Sequence, residues 1–161
     1  DITNEFLWNM LPVNSDAKAG EITGKQLWDW LEKELHNVFA KNPAQRFGGW
    51  VVRFSGMKIN FTAYNEMGKR INWVKIKGES IDLAKKYSIV ACERDGDPDD
   101  TLCRIEKVLS AHKLGASLHD IMREYLKEHP VVSPVVEGRV TATDVPQDLL
   151  SQLEGYDYQF R

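Results

Sequence analysis

Residues 22–39 read ITGKQLWDWLEKELHNVF, and this stretch decides the class of fold. Thr23-Gly24-Lys25-Gln26 is a capping-box pattern. The Thr23 hydroxyl can accept from the backbone N–H of Gln26, and the Gln26 side chain can reach back to Thr23. Leu27, Trp28, Leu31, Leu35, Val38 and Phe39 then recur at helical spacing, which predicts an amphipathic helix with one apolar stripe. Asn42-Pro43 ends it. Such a stripe needs another layer to cover it, and the neighbouring sequence offers strands for that purpose.

Upstream, Ile2, Phe6, Leu7, Met10 and Leu11 predict a short helix stopped by Pro12. Residues 13–22 are mixed and accommodate a strand ending in Glu21-Ile22. Downstream, residues 50–54 form a short strand candidate. Residues 58–64 alternate, with Ile59, Phe61 and Ala63 on one face, and residues 65–68 form a turn. Residues 70–77 complete a hairpin or meander and end at a Lys77-Gly78-Glu79 turn. Residues 87–92 are a compact apolar run suited to a buried strand. A polar loop follows. Ser117 then opens a second helix with Leu118, Ile121, Met122, Tyr125 and Leu126 on one face, closed by His129-Pro130. Residues 135–142 read as a last strand, and the tail from Thr143 as a turn plus a short helix around Leu149–Leu153. The predicted class is therefore α/β (α+β), with a mixed β-sheet and flanking helices.

Length and composition agree with one globular domain. The chain has 161 residues, 42% hydrophobic and 28% charged, with a formal net charge of −3. That balance gives no general field to attract a nucleic acid polymer or an anionic membrane. No apolar run approaches the ~20 residues needed to span a bilayer. No signal peptide is visible, and the start at Asp1 reads as that of a processed fragment. Cys92 and Cys103 fit either one disulfide or two buried thiols.

The chemistry-bearing motifs are few. There is no nucleophile elbow, no P-loop, no C-x-x-C and no H-E-x-x-H. His36, His112, His119 and His129 show no helical metal-site spacing and read as surface or capping residues. Asp95, Asp97, Asp99 and Glu106 match positions 1, 3, 5 and 12 of a calcium loop. Asp100 stands where that loop needs glycine. A solvated acidic loop and a ligand loop at a strand end are the other readings of residues 95–100. Trp50 follows Gly48-Gly49, so its ring can either join the core or lie open to stack on a flat ligand. Arg46, Arg53, Arg94 and Arg104 flank these two loops and can meet anionic oxygens or simply face solvent.

In order along the chain come Leu11-Pro12, Ile22-Thr23-Gly24-Lys25-Gln26-Leu27, Gly48-Gly49-Trp50 and Ser55-Gly56. Tyr87-Ser88-Ile89-Val90-Ala91, Gly96-Asp97 and Val136-Glu137-Gly138-Arg139 follow. This succession resembles the C-terminal domain of the 5′-nucleotidase family of two-domain phosphoesterases, over residues 1–142. Residues 143–161 then form a C-terminal extension. The resemblance implies a substrate-binding domain, with catalysis by two divalent metals in an N-terminal metallophosphoesterase domain. It also implies a periplasmic or extracellular protein acting on a nucleotide or another small anionic substrate. Trp50 matches the first base-stacking aromatic, Asp97 of the Gly96-Asp97 loop the ribose-binding aspartate, and Asn14 the asparagine after the Leu-Pro turn. Arg94 and Arg104 are the arginines placed to meet anionic groups. The family's phosphate-binding segment, with its first strand, is expected just before Asp1. Cys92-Glu93-Arg94 stands where the second stacking aromatic is expected, and Pro98 replaces a glycine. A relative of the same architecture, the thiosulfohydrolase of bacterial sulfur oxidation, also lacks the standard nucleotide sandwich, so a non-nucleotide ligand is the alternative implied.

Overall fold

A computed structural model of the chain describes residues 2–48, 53–133, 135 and 137–145. Its contacts divide into two units. The first comprises Asp1–Trp30 and Asp82–Val136, and the second Leu31–Ile81 and Glu137–Arg161.

The first unit is organised on β1 (Asp16–Thr23), the middle strand of a three-stranded antiparallel sheet. β5 (Lys86–Cys92) lies on one side and β6 (Leu109–Ser117) on the other. Alternation along β1 puts Lys18, Gly20 and Ile22 on one face. The segment 101–108 buries Leu102, Ile105 and Val108. A Cβ on Gly20 would overlap the Val108 side chain, so the close approach of that segment to β1 requires glycine here. α2 (Gly24–Phe39) starts where the capping pattern places it. The Gln26 N–H donates to Thr23 Oγ1 at 3.2 Å, and the Thr23 N–H donates to Gln26 Oε1 at 2.9 Å. Gly24 donates to the Lys85 carbonyl and Lys25 to that of Leu83, both at 2.9 Å. At Gly24 a Cβ would overlap the Asp82 carbonyl oxygen. The Thr-Gly pair therefore does two jobs, a cap and a close backbone approach.

α1 (Asn4–Met10) and α3 (Leu118–Glu128) complete this unit. Ser117 and Asp120 form the capping box of α3. The predicted apolar face of α3 stays partly open, with Ile121 and Tyr125 exposed. Its buried residue is His119, in place of the surface or capping position expected of it. Its Nε2 lies 2.8 Å from the Leu11 carbonyl oxygen, and Trp8 meets the ring edge-on at 4.2 Å.

The second unit holds a mixed four-stranded sheet in the order β4-β3-β2-β7. These strands are β2 (Met57–Phe61), β3 (Ile71–Ile76), β4 (Glu79–Ser80) and β7 (Val140–Ala142). β7 runs parallel to β2, and the other pairs are antiparallel. Ile59, Phe61, Ala63, Ile71 and Val74 form its core with Leu31 and Leu35 of α2. Glu32 is buried and accepts the N–H groups of Ile71 (2.7 Å) and Gly68 (3.0 Å). It also faces Arg70, which donates to the Ala63 carbonyl at 2.9 Å. Burial lowers the Arg70 pKa, and the Glu32 charge opposes that shift.

The α+β class stands, with two sheets in place of one, and only the second is mixed. β5 is not a buried strand. It lies at a sheet edge, its residues alternate between exposed and half-buried, and Val90 is 65% exposed. The polar stretch before Ser117 contains β6, which sequence reading assigned to a loop. The last strand begins at Val140, not at residue 135. Residues 53 and 54 are not in a strand, and residues 50–52 lie outside the described residues, as does the helix expected at residues 149–153.

Candidate functional site

The end of the three-stranded sheet where β1 begins carries the densest set of predicted site residues. Ala17 pairs with Cys92 and Asp16 with Ser117, so the start of β1 and the ends of β5 and β6 lie together. The chain leaves β5 at Glu93, whose N–H donates to the Asp16 carbonyl at 2.7 Å. It turns at once, with the Asp97 N–H donating to the Arg94 carbonyl at 3.1 Å. Gly96 has φ +87°, a conformation that glycine adopts without Cβ strain. Arg94 is exposed and Asp97 half-buried. A short turn thus brings together Arg94, Gly96 and Asp97.

Beneath this turn sits Lys18, a residue the sequence reading missed. It is only 3% exposed. Its Nζ lies 3.1 Å from Glu93 Oε1 and 3.8 Å from Asp99 Oδ1. Lys113 of β6 reaches the other Glu93 oxygen at 2.7 Å and Asp16 at 3.3 Å. Hydrogen bonds from Lys113 first and Lys18 second hold the Glu93 carboxyl below its ordinary pKa. The same bond to Glu93, with a second donated to Asp16, raises Lys113 above the usual lysine value. The signal for Lys18 was present in the sequence: it occupies an inward position of the Lys18, Gly20, Ile22 alternation. A buried ammonium needs charged partners, and the acidic loop supplies them.

Residues 101–108 pass over the core with an unusual backbone. Cys103, Arg104 and Lys107 have φ of 50°, 68° and 58°, and Ser110 follows at 51°. Left-handed conformations in non-glycine residues persist only where surrounding contacts enforce them. α2 provides those contacts. Trp30 Nε1 donates to the Cys103 carbonyl at 2.9 Å, and Gln26 Nε2 donates to the carbonyls of Glu106 (3.1 Å) and Lys107 (3.2 Å). Arg104 belongs to this clamped segment and is half-buried.

Asn14 lies at the same sheet end, but its Oδ1 accepts the His119 N–H at 2.9 Å and so caps α3. Trp50 lies outside the described residues. No disulfide joins Cys92 and Cys103, and Cys92 is exposed. Among the described residues no group of three or more His, Cys, Asp or Glu side chains converges to hold a metal ion, and no helix is long and apolar enough to cross a membrane.

The sequence model of the family described as "5'-nucleotidase, C-terminal domain" matches residues 1–93. The chain belongs to this family. The match ends where β5 does, so the turn at Arg94–Asp97 and the clamped segment lie beyond it. The chain is 28% identical over 152 residues to the trifunctional nucleotide phosphoesterase protein YfkN of Bacillus subtilis, covering 91% of this chain and 10% of that protein. It is 25% identical to Protein 5NUC of Lutzomyia longipalpis, covering 87% of this chain and 25% of that one. It therefore spans a quarter or less of these relatives. Its fold matches a 5′-nucleotidase precursor from Thermus thermophilus with a TM-score of 0.63 at 21% identity, over 88% of this chain and 28% of that one. It also matches the Thermus thermophilus sulfate thiohydrolase SoxB, with a TM-score of 0.63 at 19% identity, over 83% and 23%.

Proposed function

We propose that this 5′-nucleotidase C-terminal domain holds the substrate of a larger hydrolase, at the sheet end built by Arg94, Gly96 and Asp97. The observation that carries this reading is the turn itself: a tight, glycine-dependent bend at a strand end, on a base fixed by Lys18, Glu93 and Lys113. Ligands of α/β folds collect at strand ends, where a rigid sheet presents a short loop. In this reading Asp97 accepts ligand hydroxyls, and Arg94 and Arg104 meet anionic oxygens. Trp50 stacks on the base. The attacking water and a divalent metal pair belong to an N-terminal metallophosphoesterase domain of the longer protein, which works outside the cytoplasm.

The test is steady-state kinetics of the longer protein with AMP and with p-nitrophenyl phosphate. Asp97→Asn and Trp50→Ala are expected to lower kcat/KM for AMP about tenfold or more, the scale of one lost stacking or hydrogen-bonding contact. Turnover of p-nitrophenyl phosphate changes little. Equal kcat/KM values for AMP in wild type and both variants would sink the reading.

A second reading rests on one specific feature. Cys92-Glu93-Arg94 stands where the second stacking ring is expected, and Glu93 is committed to two lysines. A thiosulfohydrolase-like or other non-nucleotide substrate fits that replacement. Failure of the longer protein to release phosphate from AMP or ADP, or to split UDP-glucose into UMP and glucose 1-phosphate, would favour it.

A further inference from the structure

The outer face of the four-stranded sheet carries a polar surface that the proposed function does not use. Strand pairing sets Asn60 of β2 opposite Thr141 of β7 on one side and Trp73 of β3 on the other. The register then slips, since Phe61 pairs with Ile71. Such a bulge places two residues of one strand against one of the other. Asn72 and Trp73 are accordingly both exposed on the same side of β3, with Trp73 38% exposed.

A continuous chain of amides and hydroxyls results. Asn72 Nδ2 donates to Asn60 Oδ1 at 2.7 Å, and Asn60 Nδ2 donates to Thr141 Oγ1 at 2.9 Å. Thr62 bonds Asn72 at 3.3 Å and Thr143 at 2.8 Å. These side chains are pre-organised by one another and open to solvent on one side. Uncharged donors and acceptors in a fixed row beside an exposed indole suit a ligand with many hydroxyls and an apolar C–H face.

One end of the row is positive. Lys58 and Lys75 face each other directly across β2 and β3, an arrangement that destabilises a sheet. Neither makes an ion pair among the described residues. Lys75 Nζ sits 5.3 Å from the Trp73 ring centroid. Glu137, whose charge Lys58 feels, is bound to Arg139; that bond first, and Lys58 to a lesser extent, lowers the Glu137 pKa. An anionic group placed between the two lysines would relieve their repulsion.

We propose that this face binds an acidic carbohydrate, a uronic-acid-containing glycan. One pyranose ring packs on Trp73, its hydroxyls meet Asn60 and Asn72, and a carboxylate lies between Lys58 and Lys75. A single-stranded nucleic acid is the less favoured occupant, because two lysines do not make a basic track and the chain is negative overall.

The test is binding of the full chain to size-defined oligosaccharides of polygalacturonate, alginate and hyaluronan. Neutral dextran and single-stranded poly(dT) serve as comparators, with calorimetry and Trp fluorescence as readouts. Binding to at least one acidic glycan is expected, weakened at least tenfold by Trp73→Ala and losing most of its salt dependence in Lys75→Gln. Asn72→Ala, at an exposed position, is expected to weaken it several-fold with an unchanged melting curve, which separates contact from folding. No binding to any of the three glycans, affinity unchanged by both Trp73→Ala and Lys75→Gln, or tighter binding to dextran or poly(dT) overturns the proposal.

Discussion

Lys18 is the residue on which the candidate site rests. Its ammonium is nearly enclosed, and the carboxylate of Glu93 is its closest partner. Removing one member of such a pair strands the other, whereas replacing both with apolar groups does not. Lys18→Met is therefore expected to lower the urea midpoint, and Lys18→Met combined with Glu93→Leu to recover most of the loss. The sign of the pH effect follows from Glu93. Its folded pKa lies below the ordinary value of 4.5, so its stabilisation is full above that value and is lost as pH falls through the folded pKa. Urea midpoints measured down to pH 3 should fall steeply in wild type and less steeply in Glu93→Gln. Gly24 is the other decisive residue. A methyl group there would collide with the backbone of Asp82 and Leu83, and Gly24→Ala is expected to cost about 1–3 kcal/mol, the scale of an overpacked contact. The motif that identifies the helix start was legible in the sequence, but the reason for its glycine was not. That reason is a carbonyl almost sixty positions away in the chain.

At the scale of elements, α2 shows how one helix serves two sets of partners. Its first turns clamp the left-handed segment 103–107 through Trp30 and Gln26. Trp30→Phe removes one hydrogen bond of about 1 kcal/mol. Faster amide exchange at Leu102, Ile105 and Val108 is the expected consequence, with exchange in β2 and β3 unchanged. Further along, Glu32 satisfies two backbone N–H groups of the turn into β3. Glu32→Ala leaves both donors and Arg70 uncompensated, an expected loss of about 2–4 kcal/mol in urea unfolding. Helix α2, β1 and β2 were readable because their caps and alternation are local signals. β6 was not. Its exposed positions carry Leu109 and Leu114 beside Ser110, His112 and Lys113, so no period-two pattern of burial marks it. Only pairing with β1 makes it a strand. β5 misled in the opposite sense: an apolar run suggested burial, yet the strand lies at an edge.

For the whole molecule, each unit has its own core. Ile22 is fully buried in the first and Ile59 in the second. Truncating either to Ala is expected to cost about 2–5 kcal/mol. Hydrogen exchange should show protection falling first among the strands of the unit that was cut. Family membership reached the same conclusion as the order of motifs, because a backbone requirement such as the Thr-Gly cap, which lies inside the matched residues 1–93, leaves its mark in the residues themselves. The sequence by itself determined the α+β class, the start of α2 and the inward face of β2, all governed by neighbours within a few positions. Tertiary structure alone decided that Lys18 lies beneath that turn, that Asn14 caps α3, that His119 is buried, and that Asn72 and Trp73 share one face. Those outcomes depend on strand register and on partners distant in the chain, which local periodicity does not encode.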